Sequence, residues 1–401
     1  MKLPRLSLLS QICITHLISH IHMLVLPVLM PVMLLTNNDI SFVQIGFAIS
    51  VFNIVSALVQ APVGFFVDKL GPKRVLIAGL IVGSLSFLSL GFINHYTWLV
   101  IAMGIAGLAN AVYHPADYAI LSQNVTESRM GRAFSLHTFS GYIGFAVTPT
   151  LMLTVSSLYN VSMAFIVSGI IGLFAAIILY PKAKNESVKK DPLIIPENPA
   201  LAVKPNNKIP LVTPAILLML VLFLLLSLSG GSIQNFSVSA LVTGYSISLA
   251  DANIALTAFL VTSSIGVLVG GQLADYTRRH GLIAAGALVI TALLAFVLAI
   301  LTVSSTIMIT FLIGAMGFLS GIIAPSRDML VRSVSPKGAE GRVFGIVSTG
   351  FNLGGTIGPI LFGWILDQGY PRGIFWSTAI FMVLTAIIAF YQETKGRKNK
   401  S

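Results

Sequence analysis

Charge is what this sequence has least of. Only 9% of its 401 residues are Asp, Glu, Lys or Arg, where a soluble domain carries about a quarter. With 56% hydrophobic residues and a mean hydropathy of +0.92, the chain cannot cover a water-facing surface with polar groups, which excludes an ordinary soluble globule. Cysteine is nearly absent: Cys13 stands alone, so no internal disulfide forms and the redox compartment cannot be read. The Gly-x-x-x-x-Gly-Lys-Ser/Thr loop is missing, which argues against ATP as a direct energy source. Gly-x-Ser-x-Gly and His-Glu-x-x-His are missing too, so the constellations of common hydrolases are absent and an enzyme is not expected.

Long apolar runs are present instead. About twelve of them, each of about 20 residues or more, reach the length needed to cross roughly 30 Å of hydrocarbon as helix. They lie near 6 to 35, 41 to 67, 74 to 93, 97 to 122, 132 to 157, 160 to 180, 212 to 242, 250 to 274, 282 to 303, 306 to 332, 342 to 366 and 373 to 392. The first run is basic-flanked like a signal peptide but too long and without a small-residue cleavage site, so it is expected to remain as the first helix.

The basic residues orient these spans. Lys2 and Arg5 precede the first, and every second connection carries cations: Lys69, Lys73 and Arg74; Arg129 and Arg132; the 182 to 208 segment; Arg278 and Arg279; Arg327 to Arg342; then the tail from Lys395. Only Arg372 falls on the other side. The positive-inside rule therefore places both termini in the cytoplasm. The net charge of +11 is spread over membrane-flanking loops, which points to anionic lipid headgroups and away from nucleic acid.

Residues 182–210 interrupt the pattern. Lys182, Lys184, Lys189, Lys190, Pro192, Pro196, Pro199 and Pro205 preclude a packed helix in lipid and mark a linker at the midpoint. Six predicted helices stand on each side, giving domains 1–181 and 211–401. The two halves repeat each other. Gly64, Asp68 and Gly79 match Gly271, Asp275 and Gly286 at a constant offset of 207. Pro115, Gly131, Arg132, Phe134, Gly144 and Pro149 line up with Pro325, Gly341, Arg342, Phe344, Gly354 and Pro359 at nearly the same offset. The fold expected is an all-α membrane protein of twelve transmembrane helices in two pseudo-symmetric six-helix bundles, and internal duplication of this kind points to a transporter.

The stretch from Gly64 to Arg74, Gly-x-x-x-Asp-Lys-x-Gly-x-Lys-Arg, resembles the signature of the major facilitator superfamily, and the resemblance covers nearly the whole chain. Tyr113-His114-Pro115 followed by an acid, then Gly131-Arg132 and the helix-five run Ser140-Gly141-Tyr142-Ile143-Gly144, look most like the fosmidomycin-resistance type of bacterial efflux carrier. That resemblance implies the major facilitator fold, a bacterial inner membrane location, and a monomer moving a small molecule by proton-coupled alternating access, without a cofactor. Helix five departs from the family's antiporter signature: Phe145-Ala146-Val147-Thr148-Pro149 stands where Gly-Pro and paired glycines are usual. Efflux is the first expectation, and uptake of an anionic metabolite or a non-transporting sensor are the alternatives.

In that fold helix two faces helix eleven and helix eight faces helix five. Asp68 and Asp275 end helices two and eight, where the helix dipole disfavours a carboxylate unless something positive compensates. Arg132 and Arg342 begin helices five and eleven. The expectation is a pair of interlobe latches built on Gly64, Asp68, Gly71, Arg74 and Arg132, and on Gly271, Asp275, Arg279 and Arg342, closing the cytoplasmic side. The competing reading is that these loops merely orient the chain.

Inside the spans, Asp117 shares a helical face with Tyr113 and His114. A carboxylate there needs water, a partner or a proton, and is a coupling candidate unless it reaches the interface. Arg327 aligns with Asp117 across the repeat and precedes Asp328. Its planar fork suits a carboxylate or phosphate of the solute, or an internal ion pair. His16 and His20 lie one turn apart in helix one, and His137 in helix five poses the same question: proton or substrate contact, metal, or packing. No carboxylate lies near His16 and His20 in sequence, so no metal ligand set is assigned. Pro27, Pro31, Pro62, Pro115, Pro149, Pro325 and Pro359 are expected to bend their spans. Gly141, Gly144, Gly350, Gly354 and Gly355 are expected to let helices touch.

Overall fold

The computed structural model describes residues 7–36, 39–125, 127–183, 213–277, 279–302, 305–336 and 340–398. Helices account for nearly all of them: α1 Leu8–Thr36, α2 Phe42–Leu70, α3 Pro72–Leu90, α4 Tyr96–Asn110, α5 Tyr113–Asn124, α6 Glu127–Leu158, α7 Val161–Ala183, α8 Pro214–Tyr245, α9 Leu249–Tyr276, α10 His280–Ile300, α11 Thr306–Val334, α12 Glu340–Asp367 and α13 Gly373–Lys398. Twelve spans long and apolar enough to cross a membrane result, at the places the apolar runs predicted. The linker expected at 182–210 lies outside the described residues apart from Lys182 and Ala183, which continue α7.

Thirteen helices make twelve spans because the fourth is broken. The run read as one helix, 97 to 122, divides into α4 and α5 within a single span from Tyr96 to Leu121. Pro115 contributes, since it has no N–H for the carbonyl of residue 111 and its ring crowds that turn, although Pro325 at the matching place lies inside a continuous α11. Local caps explain other boundaries. Ser41 and Gln44 form a reciprocal capping box at the start of α2, and the Thr213 and Ser248 hydroxyls accept from the first turns of α8 and α9. Between α2 and α3 the chain turns through Gly71 at φ 89°, a left-handed conformation that favours glycine.

The helices pack as two six-span lobes joined at three seams, α2 against α12, α6 against α9 and α1 against α8. The seams expected between helices two and eleven, and between five and eight, are therefore formed. Burial divides the molecule differently along its length. One apolar core is shared by both lobes and draws on Ile21 to Met30 of α1, Ile45 to Phe52 of α2, Leu228 to Tyr245 of α8 and Phe362 and Leu366 of α12. These residues occupy the end of the molecule remote from the termini, here called the far end. At the opposite end each lobe keeps its own core, one running from Ile12 to Leu179 and the other from Ile216 to Ala389. Large apolar side chains such as Phe174, Ile307 and Phe311 remain exposed on the outer faces, as lipid-facing positions would.

Candidate functional site

At the far end the seam between α2 and α12 is closed by backbone contact and by polar clasps. The Asp367 carboxylate accepts from Phe42 N and Val43 N, each at 2.9 Å, so an acid ending one lobe's helix occupies the electropositive amino terminus of the other's. Deeper in the seam, Ser50 Oγ donates to the Thr356 carbonyl at 2.7 Å and Asn53 Nδ2 donates to the Gly355 carbonyl at 2.8 Å. Gly46 and Gly363 let the backbones meet: an added Cβ at the first would collide with the Pro359 carbonyl, and at the second with that of Phe42. None of these clasps was expected from sequence. The signals were slight: an acid at a helix end, and Ser and Asn on a face that also carried glycine.

Toward the termini the same helices separate. A Cβ placed on Gly64 or Gly271 would find nothing within 4 Å, and Phe65 and Tyr276 are 80% and 90% exposed. A cavity of about 410 Å³ opens here, lined by Thr138, Phe139 and Tyr142 of α6, Ser264, Gly271 and Gln272 of α9, and Pro325 of α11. Of the expected latch residues, Gly71 makes the tight turn, its N–H bonded to the Val67 carbonyl at 3.0 Å, while Arg74 and Arg279 are exposed. The side chains of Asp68, Arg132, Asp275 and Arg342 lie outside the described residues.

Within the amino-terminal lobe three helices converge on Asp117. Its carboxylate is fully buried, the only buried one among the described residues, so it does not reach the interface. Oδ2 is hydrogen-bonded to His137 Nε2 at 2.9 Å and lies 3.7 Å from His16 Nδ1. His16 stacks on His137 with ring centroids 3.7 Å apart, and His20 and His114 stand 4.5 and 5.5 Å from His16. Gly141 makes room for this assembly, because a Cβ there would come within 2.7 to 2.8 Å of the His16 and His20 rings. Asp117 Oδ1, His20 Nδ1 and the buried Tyr113 hydroxyl have no hydrogen-bond partner. His114 is exposed at the rim, as is Tyr118, whose ring lies 5.7 Å from His114 and 5.9 Å from His137. Tyr118 was missed in the sequence; it stands four residues after His114, on the same helical face. His22 turns away from the cluster, toward the Ser168 carbonyl and Phe87.

The carboxy-terminal lobe presents a different group at the matching place. Arg327 lies between the rings of Phe223 and Phe351, at 4.8 and 5.0 Å from their centroids. Its Nε and Nη2 both reach Asp328 Oδ1, at 2.9 and 2.8 Å. Although adjacent residues point about 100° apart on a helix, the long Arg side chain folds back far enough to pair with its neighbour. A single carboxylate oxygen leaves much of the guanidinium fork unused. Arg372, the one cation expected on the opposite side, sits 5.4 Å over the Tyr245 ring at the far end.

Comparison with known proteins agrees with this architecture. The model of the Major Facilitator Superfamily matches residues 12–233 and 220–401. The chain is 23% identical over 398 residues to the fosmidomycin resistance protein of Escherichia coli, covering 97% of this chain and 94% of that one. It is 22% identical over 364 residues to the multi-drug resistance efflux pump PmrA homolog of Lactococcus lactis, covering 89% and 86%. Among solved structures, a bacterial homolog of the human lysosomal transporter Spinster, in an inward-facing and occupied conformation, superposes with a TM-score of 0.77 at 13% identity, covering 96% of each chain. Matched along almost its entire length, the chain belongs to the Major Facilitator Superfamily.

Proposed function

We propose that this chain exports a small organic solute by proton-coupled alternating access. One observation carries the reading: a single core joins the lobes at the far end, while each lobe keeps its own core at the end near the termini. Interlobe cavities of about 410 and 440 Å³ lie between α6 and α9, toward the termini and at the far end respectively. Two bodies hinged in this way expose the space between them to one side at a time when they rock, which is the motion alternating access requires. With both termini in the cytoplasm of a bacterial cell, as the distribution of Lys and Arg favours, this arrangement is the cytoplasm-open state, ready to load solute for export. The full-length likeness to a resistance protein and an efflux pump supports that direction.

Proton coupling is assigned to Asp117 with His137. A carboxylate so deep in the lobe is tolerated only when paired or neutral, and it has one hydrogen-bonded imidazole, a second close by, and a path to the rim through His114 and Tyr118. The test is flux in proteoliposomes with an imposed pH gradient and a panel of solutes. Concentrative movement that collapses with the gradient supports the reading, and binding of solute without flux would make the chain a sensor. The second reading, uptake of an anionic metabolite, rests on the unused donors of Arg327. Accumulation of organic anions in the opposite direction would favour it.

A further inference from the structure

The cluster around Asp117 has the composition of a metal site. His16 Nδ1, an Asp117 oxygen and a His137 nitrogen come from three helices and lie within 4.8 Å of one another, all three residues buried. Bonds of 2.0 to 2.2 Å in a tetrahedral shell place ligand atoms about 3.3 to 3.6 Å apart. The separations found, 2.9 Å from His137 Nε2 and 3.7 Å from His16 Nδ1 to the same carboxylate oxygen, bracket that range. The remaining separation, between the two imidazole nitrogens, is no more than 4.8 Å, so closing the shell requires the His16 and His137 rings to turn toward a common point.

Two further features point to a ligand here. The first is the unpaired state of buried polar atoms that face no other partner, Asp117 Oδ1 and His20 Nδ1 among them; such groups are costly where they stand. The second is the crowding of imidazoles. Three other histidines gather within 5.5 Å of His16, held against a glycine that leaves no space between helices. A hydrogen-bonded pair would need one of them, whereas a metal with an open fourth position can use His114 or His20 to complete its shell.

We propose that His16, Asp117 and His137 bind a divalent transition-metal ion. Two imidazoles and one carboxylate suit Zn²⁺, Co²⁺ or Ni²⁺ and disfavour Mg²⁺ and Ca²⁺, which take oxygen-rich shells. The exposed His114 and Tyr118 stand at the entry. All three ligands belong to one lobe, so the ion does not tie the lobes together; Asp117 and His137 are also the residues to which proton coupling is assigned, so a bound ion takes the place of the coupling proton.

The experiment is a Co²⁺ titration of the purified full-length chain in detergent, carrying an affinity tag free of histidine, followed by visible absorption. The expected result is a tetrahedral Co²⁺ spectrum saturating at a single equivalent, bleached by Zn²⁺ and unaffected by excess Mg²⁺. Asp117→Asn and His137→Gln should each weaken binding by about tenfold or more. His22→Gln, which changes a buried histidine outside the cluster, should leave it intact and controls for folding. Lack of the spectrum in the unaltered chain with Co²⁺ in large excess would overturn the proposal, as would a spectrum that persists in well-folded Asp117→Asn and His137→Gln proteins. Either failure would leave the transport reading standing, since flux is measured separately.

Discussion

The two lobes place opposite chemistry on one repeated frame. Asp117 and Arg327 follow Pro115 and Pro325 at the same interval, and Phe223 aligns with His16 and Phe351 with Gly141. In the first lobe an acid gathers imidazoles; in the second a guanidinium lies between two phenyl rings. What the lobes share is the helix contact beneath. Gly144 abuts the Leu17 carbonyl, and Gly354 abuts the equivalent Leu224 carbonyl. Duplication thus preserved the backbone approach while the central side chains diverged.

The comparison is broken most severely at the acid. Asp117→Asn should abolish solute accumulation driven by a pH gradient while leaving exchange measurable, because the one buried carboxylate among the described residues can then no longer exchange a proton. Retained accumulation in that variant would shift the coupling role to His16 and His20. Next comes the shared contact. Gly144→Ala drives a methyl into backbone, whereas Gly354→Ala meets the Ser227 side chain first, at 2.5 Å. Overpacking costs about 1–3 kcal/mol, so thermal unfolding should fall for both variants and further for Gly144→Ala. Equal losses would show that the lobes relax alike.

Arg327→Gln should reduce affinity for an anionic solute by about tenfold, and Arg327→Lys by less, since Lys keeps the charge but not the two-pronged geometry. If the Arg only pairs internally, both variants should express poorly and recover in part when Asp328 is also neutralised. Smaller effects distinguish the two ends of the molecule. Asp367→Asn should loosen the far-end clasp and raise cysteine labelling there, whereas Asp68→Asn should raise it near the termini, each with a severalfold fall in transport. Labelling that moves in the same sense for both would show that these acids do not oppose each other across the rocking motion. His114→Ala, at the rim of the cluster, should only shift the pH optimum of transport.

Much of the fold was legible because lipid imposes it. A chain in hydrocarbon must satisfy its backbone internally, so apolar runs of sufficient length become spans and cations mark the loops. The broken fourth span could be read only as a bend at Pro115, and proline by itself does not decide the break, since the matching Pro325 lies inside a continuous α11. The pairing of helix two with eleven followed from the repeat together with the family resemblance. That the far end is held by clasps did not, because the contacts at Asp367, Asn53 and Ser50 are isolated hydrogen bonds to backbone, with no periodic signature.

The site divides along the same line. Sequence alone placed Asp117, Tyr113 and His114 together, since helical neighbours three and four apart share a face, and it paired His16 with His20 for the same reason. It could not bring His16 and His137 to Asp117, because about a hundred residues separate the first from the acid and twenty the second from it. Local spacing determines which side chains share a surface of one helix. Only the meeting of α1, α5 and α6, made close by Gly141 and Gly144, decided that three such surfaces would converge on a single carboxylate.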